Sequence, residues 1–268
     1  LLHLWSEPIE DGRHTVRRSI KNKSMKFLKY FFYALITLAS LFVWVFPQFL
    51  RCFCVEYDNF LEIKPNIFVE EKTSKMQQDS LIKYVENAKM RLKTFWGSKN
   101  GQATIIFSKN AKTYQKYAKT TEGAGFSIGT PLGSWIILNQ DGLNVDVIAH
   151  EMCHDELMTK LGWWKTKQEI PTWFDEGLAL MLDYRFVSSQ DSIQRYNDYR
   201  NEVSYLSAIP IPLNELNTQK DFFGRGERFT KIAYLTSAVE VSRKISMKGK
   251  KEIFRIINKT EKEGKFVF

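Results

Sequence analysis

Hydrophobic positions along this chain change period three times. From Tyr30 to Leu50, YFFYALITLASLFVWVFPQFL, apolar residues run without a charged one on any face. As a helix that run reaches about 31 Å, long enough to cross a bilayer. Beyond it, Leu81, Ile82, Val85, Ala88 and Leu92 recur at helical spacing between Asp79 and a stop at Gly97. ATIIF (Ala103 to Phe107) and SWIIL (Ser134 to Leu138) are compact β-rich runs, and LEIKPNIFVEE reads as a short strand and connection. A helical pattern passes through Tyr114 and Tyr117, and the glycine-rich TTEGAGFSIGTPLG reads as a turn before SWIIL. Asn144 is placed to cap the helix that follows. From Pro171 onward the pattern is mostly helical, clearest over Thr230 to Lys244 and Lys251 to Asn258. Strands first and helices after predict one mixed α+β domain behind an apolar anchor.

Composition narrows the setting. A 268-residue chain that is 44% hydrophobic can bury a substantial core, so disorder is not expected. The formal charge is +9, but much of the excess lies before residue 30; afterwards Lys and Arg are interleaved with acids, with no aromatic-basic recognition motif. A nucleic-acid partner is not expected. Three cysteines, Cys52, Cys54 and Cys153, make no disulfide framework.

The same basic excess orients the anchor. Lys and Arg before residue 30 place the N-terminus in the cytoplasm and the bulk of the chain outside it. The expected organisation is a basic cytoplasmic segment over residues 1–29, a transmembrane anchor over 30–50 and an extracytoplasmic domain over 51–268. A cleaved secretory signal is the alternative; the length of the apolar run and the lack of a small-x-small site favour an anchor. The first methionine is Met25, and a natural start there, with residues 1–24 untranslated, is a further expectation.

The chemistry concentrates in VIAHEMCHDEL, Val147 to Leu157. Histidines four apart share one helix face, so His150 and His154 can present imidazole nitrogens to one ion. A hydrolytic zinc site takes a third protein ligand, and no other histidine follows the anchor. Leu157 and Lys160 also stand where a longer three-histidine pattern requires glycine and histidine. A carboxylate remains, and PTWFDEGLALMLD supplies it. Thr172 is expected to cap a helix with Asp175 at its third position, leaving Glu176 in the first turn, twenty-two residues after His154. A short loop through GWWKTKQEI would bring that helix back, with Gly177 permitting close packing. Asp155 and Asp175 are candidates to orient the histidines. Trp163, Trp164 and Trp173 are candidates for a pocket lining or for core.

HEMCH followed by PTWFDEGLA resembles the gluzincin metallopeptidases, and within them the small peptidase MA-like membrane or secreted proteins with HExxH and a downstream P-x-W-[FL]-x-E-G-[LF]-A. The order of elements extends the resemblance over roughly Leu81 to Ile257. It implies a zincin-like domain with a small twisted sheet, two metal-site helices beneath it and a helical C-terminal half. It also implies that His150, His154 and Glu176 bind Zn²⁺, that Glu151 is the general base, and that a downstream tyrosine stabilises the oxyanion. Tyr234 occupies a matching region, with Tyr184, Tyr196, Tyr199 and Tyr205 also available. SWIIL is the expected edge for an extended peptide or protein substrate. An endopeptidase is favoured, because GAGFSIGTPLG carries no acid to hold a substrate amine. The alternatives are a non-catalytic zinc-binding module on the same fold and a hydrolase of non-peptide amides in the cell envelope.

Overall fold

A computed structural model describes residues 12–120, 123–206 and 211–268, with side chains from residue 28 onward. Residues 1–11, part of the segment expected to be untranslated, lie outside the described residues. The chain divides into two compact units, Leu1–Phe53 and Cys54–Phe268.

The first unit contains helix α1 (Gly12–Val45) and the short helix α2 (Pro47–Phe53). Within α1, Leu28–Val45 has a mean hydropathy of 1.7 and none of it is buried, so the helix is long and apolar enough to span a membrane. Anchors and signal sequences both have this property. The expected single helix over 30–50 is broken: Phe46 is not helical, because Pro47 lacks an N–H and disfavours the α conformation of the residue before it.

The second unit is α+β. Strands β1 (Phe60–Lys64), β2 (Ile67–Glu70), β3 (Thr104–Phe107), β4 (Gly125–Thr130) and β5 (Gly133–Leu138) form one sheet in the order β1-β2-β3-β5-β4. β2, β3 and β5 run parallel, while β1 and β4 pair antiparallel at the two edges. LEIKPNIFVEE is therefore a hairpin of two strands rather than a short strand and a connection. Asn66 turns it at φ 64°, a left-handed conformation that asparagine tolerates. The expected glycine-rich turn before SWIIL holds the edge strand β4.

Helix α3 (Lys75–Trp96) follows β2. Ser74 and Gln77 form a capping box at its start, and Gly97 closes it at φ 83°. Its buried face is Leu81, Val85, Ala88 and Leu92, the predicted apolar stripe apart from Ile82. That face meets Ile67, Val69, Ile105, Phe107, Ile136 and Leu138 of the sheet, together with helix α5 (Val145–Leu161), in one core. Helix α4 (Ala111–Ala118) buries Tyr114 and Tyr117; the Tyr117 ring stands edge-on to Phe60, and its hydroxyl donates to Asp58 at 2.7 Å.

The later half is helical, as the pattern predicts. The segment expected as a plain loop contains helix α6 (Trp163–Glu169), followed by α7 (Thr172–Ala179), α8 (Ser192–Leu206), α9 (Gln219–Phe223), α10 (Glu227–Lys248) and α11 (Lys250–Glu263). α10 packs on α7 and α8 and fixes where α7 can sit. A Cβ at Gly177 would stand 2.6 Å from the Ser237 carbonyl oxygen of α10, so these helices approach at a distance that only glycine allows.

Candidate metal centre

Helix α5 carries the motif. Asn144 accepts from the Val147 N–H at 2.9 Å and caps the helix as predicted, and the helix is buried on most sides, with Ile148, Ala149, Cys153 and Leu157 in the core. Cys153 is packing, and burial pushes its thiol well above the ordinary range. His150 and His154 project from one face, their rings 4.9 Å apart.

Glu176 meets them from α7. Its Oε2 lies 3.2 Å from His150 Nε2 and 3.5 Å from His154 Nε2. One ligand atom from each of these residues falls within 4.8 Å of the others, a spacing that can hold a metal ion. The capping box predicted to aim Glu176 is absent. Pro171 is the cap residue, with no side-chain bond, and Thr172 is already helical. Asp175 is instead turned to the histidine: its Oδ1 lies 2.7 Å from His154 Nδ1.

The other imidazole has its own carboxylate, which the motif pattern did not single out. Asp183 Oδ2 is 3.4 Å from His150 Nδ1, an ion-pair contact whose geometry falls short of a hydrogen bond. Asp183 is fully buried, and Arg185 holds it through Nε at 2.9 Å and Nη2 at 2.5 Å. Both histidines thus point Nε2 at Glu176 and Nδ1 at an aspartate. That arrangement fits a metal-ligating pair, because an outer carboxylate fixes ring orientation and raises ligand basicity. Asp155 does not share this role. It accepts from the Ala103 N–H and the Ser134 hydroxyl, while its neighbour Glu156 accepts from the Asn100 and Gly101 N–H groups, so the pair ties α5 to the sheet.

The electrostatics agree with the geometry. Burial alone would lower His150, but the Asp183 and Glu176 carboxylates overcome it and raise it to about 9. Burial likewise opposes the charge on His154, and Asp175 and Glu176 raise it well above its ordinary value. Burial works against the Glu176 carboxylate too, yet the two imidazoles hold it down at about 2. The cluster is a site that draws positive charge. Its two nitrogens and one carboxylate oxygen are a donor set suited to zinc among other divalent ions.

Glu151 does not join the ligand group. It is buried beside it, and burial raises its carboxyl above the ordinary range, partly offset by the two imidazoles. β4 passes directly over it: a Cβ at Gly125 would lie 2.9 Å from Glu151 Cγ and 2.8 Å from Val147 Cγ1. This contact explains why glycine occupies a strand position.

These groups form the floor of a cavity of about 1460 Å³, walled by β4 and Phe126 on one side and by Phe223, Thr230 and Tyr234 on the other. The Tyr234 ring lies 6.1 Å from that of His150 and packs against Phe222, and burial pushes its hydroxyl well above the ordinary range. Tyr234 is therefore brought to the site, while Tyr199 is buried elsewhere, its hydroxyl on the Leu180 carbonyl at 3.0 Å. Trp173 is core, 4.9 Å from the Phe268 ring, and Trp164 is exposed. SWIIL is not the free edge: β5 lies between β3 and β4, and the exposed edge beside the cavity belongs to β4.

Neither the family models nor the curated proteins match this chain. The functional reading accordingly rests on the site itself.

Proposed function

We propose that this chain is a membrane-anchored, zinc-dependent peptidase of the gluzincin type on a zincin-like domain. The observation that carries the reading is the convergence of His150 Nε2 and His154 Nε2 on one Glu176 oxygen, with a non-ligating buried Glu151 beside them under an open sheet edge. A structural zinc site closes its shell with protein ligands, whereas three ligands beside a buried base fit a hydrolytic centre.

His150, His154 and Glu176 would hold a zinc ion, which would supply Lewis acidity towards water and a carbonyl. The protein's own groups do the rest. The outward backbone of β4 pairs with an extended peptide and lays it across the cleft. Glu151, its carboxyl raised by burial, takes a proton from the attacking water and returns it to the departing amine nitrogen. Tyr234 stays protonated and donates from the far wall to the oxygen that gains charge. Asp175 and Asp183 hold the imidazoles in place.

The apolar helix would anchor the protein with its N-terminus in the cytoplasm and the second unit outside. The reading is tested with the purified chain and a diverse peptide mixture analysed by mass spectrometry, with and without a chelator and beside Glu151→Gln. Cleavage lost in both controls supports it. A folded, metal-loaded chain that cleaves nothing overturns it.

A further inference from the structure

The edge of β4 is not open along its whole length. Leu138 gives its carbonyl to Ser108 on the β3 side, and Asn139 gives its N–H to Ala124 on the β4 side. Antiparallel ladders alternate, so with Phe126 opposite Ile137 and Ile128 opposite Trp135, the even-numbered residues of β4 face β5. Gly125, Ser127 and Gly129 turn their N–H and C=O groups outward, to the side where a substrate strand would add. One of those acceptors is already taken: the Trp163 indole Nε1–H donates to the Gly129 carbonyl at 2.8 Å.

We infer that Trp163 caps the substrate-binding edge and limits main-chain recognition to the stretch beside Gly125 and Ser127. The inference rests on the peptidase reading above. A peptide residue opposite Gly129 would need that carbonyl for its own N–H, and the indole stands in the way. Gly125 packs over Glu151, so the cap lies about 13 Å along the strand from the catalytic end, at 3.3 Å per residue. A substrate then pairs over about three residues before it must end or leave the sheet edge. The site therefore selects peptides that terminate or bend on the α6 side over long extended ones. The Trp164 ring lies beside that of Trp163, ring centres 5.9 Å apart and planes tilted by 47°, and extends the barrier to the exposed surface.

The test uses the full chain with Glu151→Gln, loaded with zinc, and end-blocked alternating Ala/Thr peptides of three to nine residues. Affinity is read by calorimetry, and the Trp163 indole N–H by its NMR resonance. The cap is removed in two ways: by Trp163→Phe, and by β-(3-benzothienyl)alanine at position 163, which keeps the ring shape and loses the donor. With Trp163 present, affinity is expected to level off once the short ladder is filled. Trp163→Phe, which removes the donor and the outer ring, should let the longer peptides alone gain roughly three- to tenfold, the worth of one added hydrogen bond, while the isostere, which frees the carbonyl and keeps the ring, should let them gain less. Binding with the same length dependence in all three proteins overturns the cap and leaves the peptidase reading standing. A folded, zinc-loaded chain that binds none of the peptides overturns both.

Discussion

Gly177→Ala tests whether the close approach of α7 and α10 sets the position of Glu176. In an ordinary helix interior the change would stabilise the chain by about 0.8–1.0 kcal/mol, because alanine is the better helix former. Here the new methyl would sit 2.6 Å from the Ser237 oxygen, and 2.9 Å from both the Ser237 carbonyl carbon and Val241 Cγ2. Comfortable carbon contacts begin at roughly 3.5 Å, so the two helices must part by most of an ångström. Two of the three obstructing atoms are backbone and cannot rotate away. Overpacking of this kind costs about 1–3 kcal/mol, and with backbone atoms in the way the upper part of that range, about 2–3 kcal/mol, applies, so after the propensity gain a net loss of about 1–2 kcal/mol remains. Thermal melts of the detergent-solubilised chain should show a midpoint lower by about 2–8 °C. Glu176 is the preceding residue, so the same displacement should also weaken metal binding, about tenfold in competition with a chromophoric chelator. A variant as stable as the parent, with unchanged metal affinity, would refute the reasoning.

Other consequences follow from the site and the fold. Asp183→Asn removes the carboxylate beside His150 Nδ1 and should lower metal affinity by about 10–100-fold, measured by the same competition; unchanged affinity would show that Asp183 only pairs with Arg185. Tyr234→Phe should lower kcat by about 10²–10³-fold with little change in KM, provided the hydroxyl acts on the reacting oxygen; a KM effect alone would place it in binding. Away from the site, Lys116, Tyr117 and the Asn59 N–H hold the Asp58 carboxyl down to about 2, against a usual 3.8. A depressed carboxyl contributes stability above its unfolded value that is lost as pH falls through the folded one, so the loss belongs between about pH 4 and pH 2. Lys116→Gln should flatten that acid limb in denaturation curves, and parallel limbs would count against the assignment.

The parts of the site that sequence reading reached are those where chemistry and helical period coincide. His150 and His154 are four apart behind a capping asparagine, so spacing alone puts them on one face; Glu176 was reached through the resemblance carried by PTWFDEGLA, and the packing of α7 on α10 is what brings it to them. Asp183 escaped because it lies beyond the end of α7, in a turn where no period predicts direction; only the Arg185 two residues on hinted at a buried charge. Asp175 was flagged, but as a capping partner too. Pro171 took the cap position and freed its side chain for His154. β4 was hidden by its own fit: Gly125 is needed where Glu151 and Val147 press on the strand, and glycine in a strand reads as turn. Without β4, SWIIL reads as the edge, and Trp163 has no partner that the sequence shows. The long apolar helix was legible from its uncharged length, though Pro47 ends it earlier than hydropathy suggests.

If His150, His154 and Glu176 hold zinc for a reaction in which Glu151 moves the proton, metal content and turnover respond differently to Glu151. The most direct measurement pairs metal content with peptide cleavage in the parent chain and in Glu151→Gln, purified side by side. About one equivalent of zinc is expected in both, because Glu151 lies outside the ligand group, with cleavage lower by at least about 10²-fold in the variant alone. Full cleavage by Glu151→Gln, or a parent chain that folds without taking up zinc, would contradict these roles.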